Sequence, residues 1–457
     1  MTAPATSGRG HLRALRSATT PQAEASADAL ELWGGIECSV VRVRDEWRDQ
    51  LVETGHHRRA SDLDLIAAAG IRTLRYPVLW ERVAPEHPDR CDWGWHDERL
   101  GRLRALGLSP IVGLVHHGSG PRYTDLLDPG FATGLAAHAA RAAARYPWVA
   151  AWTPVNEPLT TARFSGLYGH WHPHRRDEAS FLRMLAAQCR AVLLSMRAIR
   201  AIIPDAHLVQ TEDIGRVFST ARLAYQAEHE NERRWLSLDL LCGRVSRGHP
   251  WWPCFVKAGV PERDLEAFLP GEAAPDVIGV NHYVTSDRFL DHRTGLHPQR
   301  QHGGNGRERY ADTEAALMDL PAAATGWAAR LEEVWARYRR PIAITEAHLG
   351  DAPEEQVRWL MEAWDAARAL RMAGADIRAV TVWALFGLVD WDCLLCHSRG
   401  RLEPGAWDVR HDPPCPRPLL AEAVTALARE GSFAHPCLPV PGWWRREGGL
   451  RVAGSSS

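Results

Sequence analysis

The sequence predicts one α/β domain built as a closed (β/α)8 barrel with long βα loops. Three observations predict it. Eight short apolar runs of strand character alternate with amphipathic helical stretches through most of the 457 residues. The runs are apolar almost throughout, as parallel strands covered on both faces must be. No Gly-x-Gly-x-x-Gly follows the first run, so the main sign of an open doubly wound sheet is missing. The length suits one barrel with insertions.

The elements follow in order. "LWGGIECSVV" (32–41) is the first strand, and "ASDLDLIAAAG" (60–70) is a helix closed by glycine. "TLRYP" (73–77) is the second strand, followed by the helix "HDERLGRLRALG" (96–107). "PIVGLVHH" (110–117) leads to the Ala-rich helix "FATGLAAHAARAAARY" (131–146). "VAAWTPVNE" (149–157) precedes a long helix at 178–202, and "HLVQTED" (207–213) is the fifth strand. "VIGVNHY" (277–283), "IAITE" (342–346) and "AVTVWALF" (379–386) complete the set, with helices at 326–338 and 354–374. The stretches near 160–180, 214–275, 284–325 and 391–418 are expected to be irregular loops and insertions. Residues 1–30 are expected to be a disordered tail, 31–440 the barrel, and 441–457 a C-terminal tail with an aromatic anchor.

An apolar content of 45% and a charged content of 24% fit a globular protein with a large core. A net charge of −2 provides no field to gather nucleic acid or an anionic membrane, so neither partner is expected. Positive charge is almost all arginine, because Lys257 is the only lysine. The nine cysteines are an odd, scattered set, unlike a secreted disulfide framework. Cys393 and Cys396 form a CxxC with no second pair at zinc-ribbon spacing. No segment reads as a signal peptide or reaches the roughly 20 apolar residues of a membrane span. A cytoplasmic protein is the expectation.

Catalytic groups of such a barrel sit where strands end and βα loops begin. Those ends carry Glu37, Arg75, His116, Asn156, Glu157, Glu212, Asn281, Tyr283, Glu346 and Trp383. Any one has a structural explanation: Arg75 could neutralise a buried carboxylate, and His116 could be a satisfied core histidine. A purely structural barrel would not need the whole set. Glu157 follows the fourth strand and Glu346 the seventh, so they can face each other across the mouth. Two carboxyls flanking a cleft, one protonated and one ionised, are the apparatus of glycosidic bond cleavage.

At these residues the chain resembles family 1 glycoside hydrolases, the retaining β-glycosidases. "TPVNEP" and "IAITEAHLG" are similar to that family's acid/base and nucleophile motifs. "WGG" (33–35), "DLDLIAAAGIRTLRYPVLWERVAPE" (62–86), "DVIGVNHYVTS" (276–286) and "VTVWALFGLVDW" (380–391) resemble its first-, second-, sixth- and eighth-strand segments in the expected order. The chain also resembles the glycosidase-like half of proteins that carry a sugar-nucleotide reductase domain behind it. The resemblance implies that Glu157 is the acid/base and Glu346 the nucleophile. It implies that Asn156 binds the sugar 2-hydroxyl and that Arg75 and Tyr283 hold Glu346 ionised, lowering its pKa. His116 is implied to contact a sugar hydroxyl and Trp383 to form the platform under the ring. Asn281, Asp390 and Trp391 are implied to bind substrate, and Trp152 to supply apolar wall. The substrate is a small glycoside, and no metal or cofactor is called for.

The departures lie on the part that reads the sugar. Val41 stands where the family has a glutamine, and His117-Gly118 where it has Trp-Asp. Ala347 follows the nucleophile, Asp390 replaces a glutamate, and Gly387 and Leu388 replace polar residues. Glu37 could reach into the mouth instead. Glycosidase chemistry on something other than plain glucose or galactose is expected. Phosphorylated sugars are not, because the members that take them use a serine-lysine-tyrosine set and Lys257 lies far away in sequence. Two rivals stand beside this reading. One is a sugar-binding or transglycosylating protein on the same barrel. The other is a metal-dependent hydrolase using the histidines of "HHGSG" (116–120) and "GHWHPHRRD" (169–177).

Overall fold

The computed structural model describes residues 29–446. The expected tails lie outside the described residues over 1–28 and 447–457. Eight parallel strands close into a barrel. We number them β1 (Glu31–Gly35), β2 (Thr73–Pro77), β3 (Ser109–Gly113), β4 (Ala151–Thr153), β5 (His207–Asp213), β6 (Val277–Asn281), β7 (Ile342–Ala347) and β8 (Ile377–Val382). Each pairs with its neighbours in sequence, and β8 closes on β1 with Glu31 opposite Ala379. The eight expected strands are those eight. The first is shorter than expected, because Ile36–Ser39 turn away from the barrel; Val40–Val43 then pair antiparallel with Glu46–Asp49 as a hairpin over the mouth.

The helices lie outside as α1 (Asp62–Ala69), α2 (Gly94–Ala105), α3 (Phe131–Arg145), α4 (Glu178–Arg200), α5 (Trp327–Tyr338), α6 (Pro353–Met372) and α7 (Pro418–Glu430). Strand alternation sorts the side chains. Trp33, Ile111, Val209, Ala343 and Ala379 fill the barrel floor, while Leu74, Val112, Trp152, Ile278, Ile344 and Val380 face the helices. Trp152 is fully buried in that outer layer and donates to Val149 O, so it is core and not the site wall that was expected. α4 is long and apolar enough to cross a membrane, yet 72% of its most apolar window is buried inside the molecule.

Two expected loops hold regular structure. Val217–Ser219 after β5 joins Arg288–Asp291, Arg309–Glu314 and His302–Gly304 after β6 in a four-stranded sheet beside the mouth. These strands are short and more polar than those of the barrel, so apolar runs did not reveal them. The expected aromatic anchor is a packed element: Trp443 and Trp444 are 4% and 8% exposed. The Trp444 ring meets Trp359 edge-on at 5.2 Å, and its Nε1 donates to Glu362 at 2.7 Å. Replacing Trp444 with alanine is expected to cost about 3 kcal/mol, read as a lower urea midpoint with an unchanged slope.

Candidate active site

The mouth is built from consecutive polar residues at strand ends, each aimed by a local backbone device. β7 carries a bulge: its register against β6 shifts between Ile344 and Glu346. A regular pleat would send Thr345 and Glu346 to opposite faces, and the extra residue turns both inward. Thr345 Oγ1 donates to Asn281 Oδ1 at 2.6 Å, while Glu346 enters the mouth. Glu157, four residues beyond β4, has φ +47° and ψ +65°, the left-handed region that costs a non-glycine residue about 1–2 kcal/mol. Pro158 opens a short helix immediately after it, and the buried Glu212 carboxylate accepts from Leu159 N and Thr160 N at that helix start. Glu212 therefore fixes the segment that aims Glu157. A bridge between His116 and Asn156 extends the β3–β4 pairing to the same level.

The two carboxyls are buried, Glu157 at 3% and Glu346 at 2% exposure, but their surroundings differ. Arg75 donates from Nη1 to Glu346 Oε1 at 2.8 Å and Tyr283 OH donates to Glu346 Oε2 at 2.6 Å. Glu157 receives one amide hydrogen bond, from Asn281 Nδ2 at 2.5 Å. Burial, together with the charge of Glu346, holds the Glu157 carboxyl well above its ordinary pKa. The expectation that Arg75 and Tyr283 bring Glu346 below its ordinary value is corrected: burial outweighs them, and Glu346 also stands above it. The order survives, because among the described residues only Glu346 has a permanent cation in contact. Glu346 loses its proton first, and its charge then keeps Glu157 protonated.

Asn156 is clamped. Its Oδ1 accepts from Arg75 Nη2 at 2.6 Å and from Thr211 Oγ1 at 2.7 Å. Its Nδ2 faces the Nε2 atoms of His116 and His117, both at 3.3 Å. Burial and the neighbouring Arg75 hold His117 down to about 3, so its imidazole is neutral. Its Nε2 also lies 3.7 Å from Glu157 Oε2. His117, which the sequence showed only as a departure from Trp-Asp, is thus part of the site; its left-handed φ of +57° was not legible.

Two expected roles change. The Trp383 indole is stacked on His116 at 5.4 Å and lies under the Arg75 guanidinium at 4.6 Å, so it is a packed ring and not an open platform. Gly35 is required beside it, since a Cβ there would lie 2.2 Å from the indole. Trp383 Nε1 donates to Glu37 Oε2 at 3.2 Å, and burial pushes Glu37 up to about 7. Asp390 is not free to bind sugar. It accepts from Arg48 at 2.9 Å and from the backbone N–H of Arg399, Gly400 and Arg401 at 2.8–3.0 Å. Burial opposes its ionisation, but these four donors outweigh that and leave its pKa below the ordinary value. Trp391 stands beside His117 at 5.4 Å and Trp171 at 6.2 Å, as an aromatic wall. The histidines of 170–174 diverge: His172 lies near Asp125 and His174 binds the backbone of Arg44 and Gly169. Among the described residues, no group of three or more His, Cys, Asp or Glu is placed to hold a metal.

The model of glycosyl hydrolase family 1 matches residues 42–393. This chain belongs to glycosyl hydrolase family 1. Among relatives, beta-glucosidase A of Thermotoga maritima is 23% identical over 376 residues, 74% of this chain and 78% of that protein. Thermostable beta-glucosidase B of Thermobispora bispora is 24% identical over 426 residues, 82% of this chain and 80% of the relative. The solved family 1 β-glucosidase of Thermotoga maritima shares the fold with a TM-score of 0.69 at 16% identity, over 88% of this chain and 98% of that one. The chain is a β-glucosidase-like glycoside hydrolase, and its barrel is the family's barrel.

Two measurements follow from the geometry. Because the folded pKa of Glu157 is raised, the folded state binds its proton more tightly than the unfolded chain. Stability is therefore lost as pH rises from the unfolded carboxylate value toward the folded one. Glu157→Gln, which cannot ionise, is expected to raise the melting temperature at pH 8 and to change it little at pH 4. Asp390→Ala leaves the three backbone N–H groups without this acceptor and takes one of two carboxylates from Arg48, which keeps Glu53, so it is expected to destabilise by about 3 kcal/mol. A sugar-binding Asp390 would instead raise KM at unchanged stability.

Proposed function

We propose that this family 1 member is a retaining β-glycosidase acting on a small or modified β-glycoside. The difference between the two buried carboxyls carries the reading: Glu346 has Arg75 and Tyr283, whereas Glu157 has one amide. Glu346, the more readily ionised, attacks the anomeric carbon. Glu157, held protonated, gives its proton to the departing glycosidic oxygen. As the glycosyl–Glu346 bond forms, the charge that kept Glu157 protonated disappears. Glu157 then acts as base, takes a proton from water, and that water releases the sugar with retained configuration. This route needs the two carboxyls about 5–5.5 Å apart.

Arg75 steadies the charge on Glu346 whenever it is free. Asn156, clamped at Oδ1 by Arg75 and Thr211, is the proposed contact for the sugar 2-hydroxyl. The outer hydroxyls meet a changed wall. Asp390 is engaged, Val41 is buried and apolar, and Glu37 occupies the Trp383 N–H. These changes support a glycone other than plain glucose or galactose, in keeping with the divergent branch that the sequence resembles.

A panel of activated aryl β-glycosides followed by 2-deoxy-2-fluoroglycoside labelling tests the proposal. The label is expected on the peptide carrying Glu346. Glu346→Ala is expected to lose turnover by at least 10⁴-fold, near the cost of removing an essential catalytic group. Glu157→Ala is expected to be partly rescued by azide, giving a β-glycosyl azide. A label on another residue, or an α-glycosyl azide, rejects the mechanism.

A further inference from the structure

Beside the mouth lies a cavity of about 450 Å3 lined by Val43, Arg44, Gly169, His170, His174, Arg176, Cys396 and His397. Its volume is within the range of about 300–1,000 Å3 usual for small-molecule sites. Two arginines and three histidines line it, and no carboxylate does. Most arginines near carboxylates in this chain pair with them. By contrast, the exposed side chains of Arg44 and Arg176 have no hydrogen-bond or ion-pair partner among the described residues. The nearest acids in sequence are turned elsewhere: Asp45 lies 3.8 Å from Arg42, and Asp177 caps α4 through Ser180 N at 2.7 Å.

The walls are built and not merely adjacent. His174 joins two loops, accepting at Nε2 from Arg44 N at 2.8 Å and donating from Nδ1 to Gly169 O at 3.0 Å. Arg44 and His174 both adopt left-handed backbone, with φ of +57° each, the kind of local strain that persists at ligand clamps. The Arg176 stem lies across Gly169, where a Cβ would come within 2.7 Å of Arg176 Nε; φ of +72° also favours glycine there. Trp171 Nε1 donates to Leu394 O at 2.7 Å and ties the third loop to the second. Burial, with Arg176 and His174 nearby, lowers the pKa of His170.

Val43, Trp171 and His117 link the cavity wall to Glu157. Val43 lines the cavity directly and packs with Val41, Leu395 and Trp171. The Trp171 ring also meets His117 at 5.2 Å, and His117 Nε2 lies 3.7 Å from Glu157 Oε2. We propose that this cavity receives an anionic group of the glycoside substrate, a carboxylate, sulfate or phosphate carried on the sugar or on its leaving group. The assignment rests on the glycosidase reading above and narrows its substrate class. It uses arginines and histidines of the first, fourth and eighth βα loops, and so does not depend on the serine-lysine-tyrosine set that the sequence lacks.

The test uses the double variant Arg44→Ser/Arg176→Ser, which removes two side chains that hold no other element in place. Binding is read first, without turnover: inorganic pyrophosphate is titrated into wild type and variant by calorimetry and by imidazole NMR shifts. Saturable binding that weakens at least tenfold in the variant is expected. Turnover is read second, on a neutral aryl β-glucoside, on one with a carboxylated aryl group, and on an aryl β-glucuronide. For whichever charged substrate places its anion in the cavity, KM is expected to rise about tenfold or more in the variant, with the neutral substrate unchanged. The two charged substrates separate leaving group from sugar as the source. Equal pyrophosphate titrations in both proteins, or a KM change shared by neutral and charged substrates, overturns the proposal. Loss of turnover on every substrate with pyrophosphate binding intact rejects the glycosidase reading and leaves the anion site standing.

Discussion

The mouth of this barrel depends on placing two buried carboxyls against a single contacting cation. Two carboxylates out of water cannot both stay ionised at modest cost, and Arg75 can neutralise only the one it touches. It touches Glu346. The rest of the site can be read as enforcing that choice. Tyr283 adds its hydroxyl on the same side, Asn281 offers Glu157 only a neutral amide, and His117, beside Glu157, is itself held neutral. Catalytic difference between two chemically identical groups is thus produced by the location of one guanidinium.

Arg75 also ties the geometry together. One amine reaches Glu346 and the Thr345 carbonyl, and the other reaches Asn156, so strands β2, β4 and β7 are joined by one planar group. A lysine donates from a single nitrogen and lacks the planar fork whose two arms make these connections in different directions. The almost complete reliance of this chain on arginine, which in the sequence looked like a compositional bias, is at this position a geometric requirement.

Much of this was legible in the sequence. Eight apolar runs gave the barrel because parallel strands covered on both faces must be apolar throughout. The polar residues at their ends gave Arg75, Asn156, Glu157, Asn281, Tyr283 and Glu346. What was not legible depended on contacts distant in sequence or on backbone. Asp390 matched a motif position, but its four donors come from Arg48 and from a turn that no pattern announces. Trp383 occupied its expected place, yet its ring face was taken by His116 from another strand. Trp152 preceded a site residue, and simple alternation, counted back from the barrel floor, would have sent it outward. The small sheet beside the mouth was missed because its strands are short and polar.

The bulge in β7 carries a consequence for anyone transplanting this chemistry. Idealised barrels are drawn with unbroken pleats, and on such a strand the residue after Thr345 would project among the helices. Copying the side chains alone would therefore leave the nucleophile outside the ring. The irregularity has to be grafted along with the residue.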